Sequence, residues 1–164
     1  MTVTRFELEA ARLVRSRRWA ALATLGPSGP LASMVAYSTN RDASRVGLFL
    51  SSLSEHTRNL VNEPRVSLVV SEIDPGIRDP QTLARVSLRG TAEVVERTSP
   101  EFEDVWRSHI DRLPEAAPRL VLGDFSLIQI VVDDAHYVGG FAQASTIPAE
   151  RLSAAALEFE TTDS

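Results

Sequence analysis

Short runs of β-type residues, each closed by a turn or loop signal, recur along this chain, and that punctuation limits what it can fold into. Residues 19–25 (WAALATL) and 31–39 (LASMVAYST) flank the turn Gly26-Pro27-Ser28-Gly29-Pro30, which predicts a hairpin. Residues 46–51 (VGLFLS) are a third run. Residues 65–72 (RVSLVVSE) and 84–97 (ARVSLRGTAEVVER) are a fourth and fifth, the latter with Gly90 in its middle, where a bulge or bend is expected. Residues 125–133 (FSLIQIVVD) and 136–141 (HYVGGF) complete the set as a closing strand pair.

Helical spacing is confined to the segments between and outside these runs. Phe6, Ala10, Leu13 and Val14 make one stripe over residues 4–18. Residues 54–62 predict a second helix, which Pro64 ends. Thr98 or Ser99 caps a third, with Pro100 as its first residue, running through Phe102, Val105 and Trp106 to about Arg112. Trp106 and His109 are read as a buried and a surface position of that helix. Strands in the majority with helices at the edges predict a mainly β (β+α) fold, a six- to seven-stranded antiparallel barrel with peripheral helices, and not a doubly wound α/β sheet. With 164 residues the chain has room for one such domain, over residues 1–147, and a tail over 148–164 that forms a short helix at 149–159.

Composition removes several function classes. With no cysteine there are no disulfides, thiolate metal sites or cysteine nucleophiles. A net charge of −5 without a basic stripe argues against a nucleic-acid partner. No apolar run approaches the roughly 20 residues of a membrane-spanning helix. The N-terminus lacks the apolar core of a secretory signal, so the cytoplasm is the expected compartment. His56, His109 and His136 are too scattered to suggest a metal site.

The chemistry is concentrated at SSLSEHTRNL, residues 51–60. Here a strand gives way to two serines and a helix start, so hydroxyls, free backbone N–H groups and a cation converge where the helix dipole favours an anion. Ser51, Ser52, His56, Thr57 and Arg58 are the candidate phosphate contacts, Arg58 through its forked donor. The plain alternative is a helix capped by Ser54, with Arg58 pairing Glu55 on the surface. Alternation places Ser33, Val35 and Tyr37 on one face of their strand and Ala32, Met34 and Ala36 on the other, one face core and one facing a ligand or partner. Gly139 and Gly140 beside Tyr137 suit a backbone that approaches a ring closely. No Ser-His-Asp or paired-carboxylate arrangement stands out, so catalytic residues are not identified, and a cofactor would carry any chemistry.

Three motifs in order, ASMVAY at 32–37, SSLSEHTRNL at 51–60 and YVGGF at 137–141, give the chain a form that resembles the pyridoxamine 5'-phosphate oxidase-like FMN-binding split barrels. The second motif with RVSLRG at 85–90 is most similar to the HugZ-type branch, which includes heme-binding and heme-degrading members. The resemblance implies a homodimer with FMN in a cleft between protomers, acting as a flavin-dependent oxidoreductase on a small molecule. It implies that Ser33, Met34, Val35 and Tyr37 run along the isoalloxazine and ribityl chain. Ser51, Ser52, His56, Thr57 and Arg58 take the phosphate, Arg85 reaches the flavin from the partner chain, and the segment from Tyr137 closes over the ring. Glu55 and His56 stand where the family's oxidases carry lysine or a second arginine, which makes this turn less cationic. The alternatives are a heme-binding or heme-handling protein, a deazaflavin-dependent reductase, and a dimer without cofactor. No histidine follows His136 to match the C-terminal heme ligand of the heme-degrading relatives, which ranks FMN first.

Overall fold

The computed structural model describes residues 2–140 and 142–162; Phe141, the last residue of the third motif, lies outside them. Eight strands form one antiparallel system: β1 (Trp19–Gly26), β2 (Gly29–Ala36), β3 (Ser38–Thr39), β4 (Arg45–Ser51), β5 (Arg65–Ser71), β6 (Arg85–Val95), β7 (Phe125–Gly140) and β8 (Gln143–Pro148). Their order is β2-β1-β5-β6-β7-β4-β3, with β8 added to β7. Four helices lie outside: α1 (Arg5–Ser16), α2 (Glu55–Asn62), α3 (Phe102–Arg112) and α4 (Ala149–Thr162). The mainly β antiparallel split barrel with peripheral helices is therefore the observed architecture, with one strand more than the sequence suggested.

Strand β7 makes the split. Along one side, residues 127–138 pair with β6; along the other, residues 125–131 pair with β4 and residues 134–140 with β8. The two runs at 125–133 and 136–141, expected as a strand pair, are thus one strand of 16 residues. Asp133 and Asp134 resemble a turn in sequence, but Asp134 stays in the ladder opposite Arg89, whose Nε donates to its carboxylate at 2.8 Å. The register shifts between Arg89 and Gly90. A Cβ on Gly90 would sit 2.2 Å from the Val131 carbonyl oxygen, so only glycine fits the expected bulge.

The run 31–39 is interrupted at Tyr37. Its N–H donates to the Arg18 carbonyl at 3.0 Å and its hydroxyl to the Val14 carbonyl at 2.6 Å, which pulls the chain inward. β2 before it pairs β1, and β3 after it pairs β4. Helix α3 starts at Phe102, later than expected, because residues 96–102 first make two turns, Ser99 N–H to the Glu96 carbonyl and Phe102 N–H to the Ser99 carbonyl. The expected tail is an ordered helix. In α4, Leu152, Ala155 and Ala156 are buried in the main core together with Ala10, Ala11 and Val14 of α1. Arg151 forks onto the Glu7 carboxylate at 2.5 and 2.6 Å, the same carboxylate that closes the capping box with Thr4 at the start of α1.

The main core fills the barrel. A second cluster, built from Phe49, Val95, Phe102, Trp106, Leu113, Ala116 and Leu127, lies under α3 and positions the site described next.

Candidate functional site

A cleft of about 520 Å³ opens where β2, the end of β4, the first turn of α2, α3 and the 3-10 segment Pro114–Val121 meet. Strand alternation supplies one wall. Val35 turns into the core, so Met34 projects outward and is 50% exposed, with Ala36 beside it. Phe49 and Phe125 form an aromatic wall, their rings 5.2 Å apart, with Leu113 and Ala116 opposite. Charged groups stand at the rim: Arg18, bonded to Glu115 at 2.9 Å, and Arg119.

Two of the three histidines of the chain line this cleft. His56 is half-buried on the first turn of α2, and burial alone pushes its pKa down. His109 is 2% exposed. Its Nδ1 lies 2.8 Å from the Ser38 hydroxyl, and its ring sits 6.1 Å from Trp106 and 6.4 Å from Phe49. Burial pushes its pKa down to about 4, against a weaker upward pull from Glu115. Both rings are therefore disposed to be neutral near pH 7, the form in which an imidazole ligates a metal. Gly47 makes the Ser38–His109 contact possible, since a Cβ there would lie 2.7 Å from the Ser38 hydroxyl oxygen.

His109 is a correction to the surface position expected for it. Phe102, Trp106 and His109 follow i, i+4, i+7, which puts the histidine on the apolar stripe of α3. Ser38, Asp124, Arg18 and Arg119 were also missed; only the folded chain brings Ser38 to His109, Asp124 to Ser51, and Arg18 and Arg119 to the cleft.

Of the residues expected to bind a cofactor, Met34, Val35, Ser51 and His56 line the cleft. Ser33, on β2 opposite Leu22, does not. Tyr37 is fully buried and tied to Val14; its place is in the core and not along a ligand. The turn at residues 51–54 is engaged by Asp124. The Ser51 hydroxyl donates to its carboxylate at 2.5 Å, and the Ser52 N–H donates to its carbonyl at 2.7 Å. Ser54 is the N-cap of α2 but makes no side-chain cap bond. Thr57 is buried with its hydroxyl unpartnered. Arg58 is exposed and donates to the Leu53 carbonyl at 2.6 Å instead of pairing with Glu55.

Arg85 and Tyr137 lie away from this cleft. Arg85 donates to the carbonyls of Gln81 and Leu83. Tyr137 lines a separate hollow of about 380 Å³ beside α1, where its hydroxyl donates to the Glu9 carboxylate at 2.6 Å. Burial and that bond push its pKa up, and the same bond, working against burial, lowers that of Glu9. Gly139 admits the Tyr137 ring, since a Cβ there would sit 2.7 Å from the hydroxyl oxygen.

Comparison with known proteins agrees with this architecture. Residues 6–139 match the profile of the family described as pyridoxamine 5'-phosphate oxidase. The heme oxygenase HutZ of Vibrio cholerae is 26% identical over 154 residues, 90% of this chain and 84% of that protein. The chloroplastic heme oxygenase HOZ of Arabidopsis thaliana is 32% identical over 117 residues, 70% of this chain but 33% of that protein. The structure of a heme binding protein from Mycobacterium smegmatis is 30% identical, superposes with a TM-score of 0.81, and is matched over 93% of this chain and 62% of its own. This chain thus spans a third of the plant protein and less than two thirds of the mycobacterial one. By its sequence match, strand order and relatives, the chain belongs to the pyridoxamine 5'-phosphate oxidase-like family of split barrels, in the HugZ-type branch.

Proposed function

We propose that this protein binds heme in the cleft between β2, α2 and α3, and that heme handling ranks ahead of the FMN-dependent oxidoreductase that the motifs alone favour. The observation that carries this reading is the meeting of two imidazoles, His56 and His109, in one cleft with aromatic and aliphatic walls. These residues fit an iron porphyrin. Met34, Phe49 and Phe125 offer apolar surface to a flat macrocycle and exclude water from its face. Arg18 and Arg119 offer guanidinium donors to carboxylates at the rim. When bound, the porphyrin iron supplies the redox and oxygen chemistry, and the protein supplies its ligand, its orientation and a dry site. The heme-binding relatives support the same reading.

FMN is the second reading, favoured by α2, whose first turn presents an uncommitted Ser54 hydroxyl and N-terminal N–H groups as a family phosphate turn would. Asp124 weighs against it, because a carboxylate already holds Ser51. A deazaflavin-dependent reductase meets the same objection where its cofactor is phosphorylated. The proposal extends to a cytoplasmic homodimer acting on a small molecule. The outer face of β1, β2 and β5 leaves Trp19 (58%), Met34 (50%) and Val69 (37%) exposed side by side, an apolar area suited to a second copy. No helix among the described residues is long and apolar enough to cross a membrane.

Titration of the purified, ligand-free protein with hemin, FMN and a deazaflavin, each followed by gel filtration, tests the assignment. A retained Soret band is the expected result. Retention of FMN with no hemin bound would return the flavoprotein reading to first place.

A further inference from the structure

We infer that His109 is the side chain that ligates iron in this cleft, with Ser38 as the residue that positions it; this rests on the heme reading above. A ligating imidazole uses one ring nitrogen for the metal and has the other fixed by an outer partner. His109 has that arrangement already. Nδ1 is 2.8 Å from the Ser38 hydroxyl, while Nε2 has no partner among the described residues and the residue lines the cleft. With Nδ1–H donating to Ser38, the Nε2 lone pair is free for a metal.

The surroundings favour this over a packing role. Trp106 and Phe49 flank the ring, and an aliphatic side chain would fill that space without taking a polar ring out of water. Space for the Ser38 contact is reserved at Gly47, where any Cβ would collide with the hydroxyl. His56, the other imidazole of the cleft, is half-buried on the first turn of α2 with neither ring nitrogen bonded among the described residues. It lacks the second contact that fixes a ligand's orientation. On this assignment α3 supplies an imidazole from within the barrel domain.

The test uses the full chain and hemin. In wild type, hemin is expected to give the absorption and electron paramagnetic resonance spectra of a histidine-ligated heme. His109→Ala is expected to lose that signature, to bind hemin at least tenfold more weakly, and to recover the wild-type spectrum when free imidazole is added. Ser38→Ala keeps the ligation but weakens binding by roughly tenfold, the usual effect of removing an outer-shell partner. Because the chain has three histidines, the double variant His56→Ala/His136→Ala retains His109 alone. Hyperfine coupling from a histidine nitrogen to iron in that variant supports the assignment without any change at His109, which covers the case in which His109→Ala does not fold. Absence of the coupling there, or a His109→Ala spectrum identical to wild type, overturns the assignment and leaves heme binding standing. A wild-type protein that takes up no hemin overturns the heme reading itself.

Discussion

The Ser51 hydroxyl donates to the Asp124 carboxylate at 2.5 Å, so the turn that its sequence marks for a phosphate is held by an anion of the protein itself. The contact joins the end of β4 to the residue just before β7. It opposes a phosphate in two ways: it occupies a hydroxyl, and it places a negative charge where another would have to settle.

Asp124→Asn removes that charge while keeping an acceptor for Ser51. The variant is expected to bind FMN more tightly than wild type, by roughly tenfold as judged from a nearby charge partly screened by solvent, with hemin affinity little changed. Fluorescence titration of FMN measures it. Equal FMN affinities in the two proteins would show that Asp124 does not guard the turn.

His109 makes stability depend on pH in a defined window. Its folded pKa of about 4 lies below the ordinary value of 6.5, so on acidification the unfolded chain gains a proton that the folded chain refuses. The contribution is complete above pH 6.5, declines as pH falls toward 4, and levels off below. For a group this buried the whole effect is on the order of 3 kcal/mol. Urea unfolding of ligand-free wild type and His109→Leu, compared between pH 6.5 and about pH 5 where carboxylates contribute little, should show a steeper loss in wild type. Parallel slopes would refute it.

The Arg151–Glu7 pair is nearly out of solvent, with side chains 17% and 10% exposed. Arg151 holds the Glu7 carboxyl below its ordinary pKa of 4.5, so this stabilisation is present above pH 4.5 and is lost as pH falls below it. Arg151→Ala strands a buried carboxylate and is expected to lower stability by roughly 2–4 kcal/mol at pH 7. Adding Glu7→Gln should recover part of the loss, read by urea denaturation of both variants.

Met34 lies half exposed on the edge strand β2 of the β1–β2–β5 face, opposite Ala21. A carboxylate there would be trapped between two copies. Met34→Glu is expected to sediment as a monomer at concentrations where wild type is a dimer, with an unchanged far-ultraviolet circular dichroism spectrum. Wild type that sediments as a monomer would remove the dimer from the proposal.

The hairpin at residues 26–29, the helix after Ser51 and the break at Gly90 were legible because each is written in local chemistry: Gly-Pro turn residues, a cap, and a glycine inside a β run. The continuity of β7 was not, because only the cross-strand Arg89–Asp134 bond tells Asp133-Asp134 from a turn. Strand β8 escaped notice because QASTIP carries little apolar alternation and depends on its pairing with β7. At the site, the strand face bearing Met34 and the turn at Ser51 were visible in sequence. The Ser38–His109 pair was not, since its members are 71 residues apart. The stripe spacing of Phe102, Trp106 and His109 was the one signal that put the histidine indoors.

Strand β7 binds β4, β6 and β8, and no other strand bridges β4 to β6. A nascent chain that has emerged from the ribosome only as far as residue 120 therefore carries two separate pieces, the four-stranded β2-β1-β5-β6 unit and the β3–β4 hairpin, each with an open edge. The walls around His56 and His109 close only after Phe125 and the rest of β7 arrive. The cleft proposed to hold a ligand is thus completed only late in this protein's biogenesis, and the interval before it is when the exposed edges most need protection from aggregation.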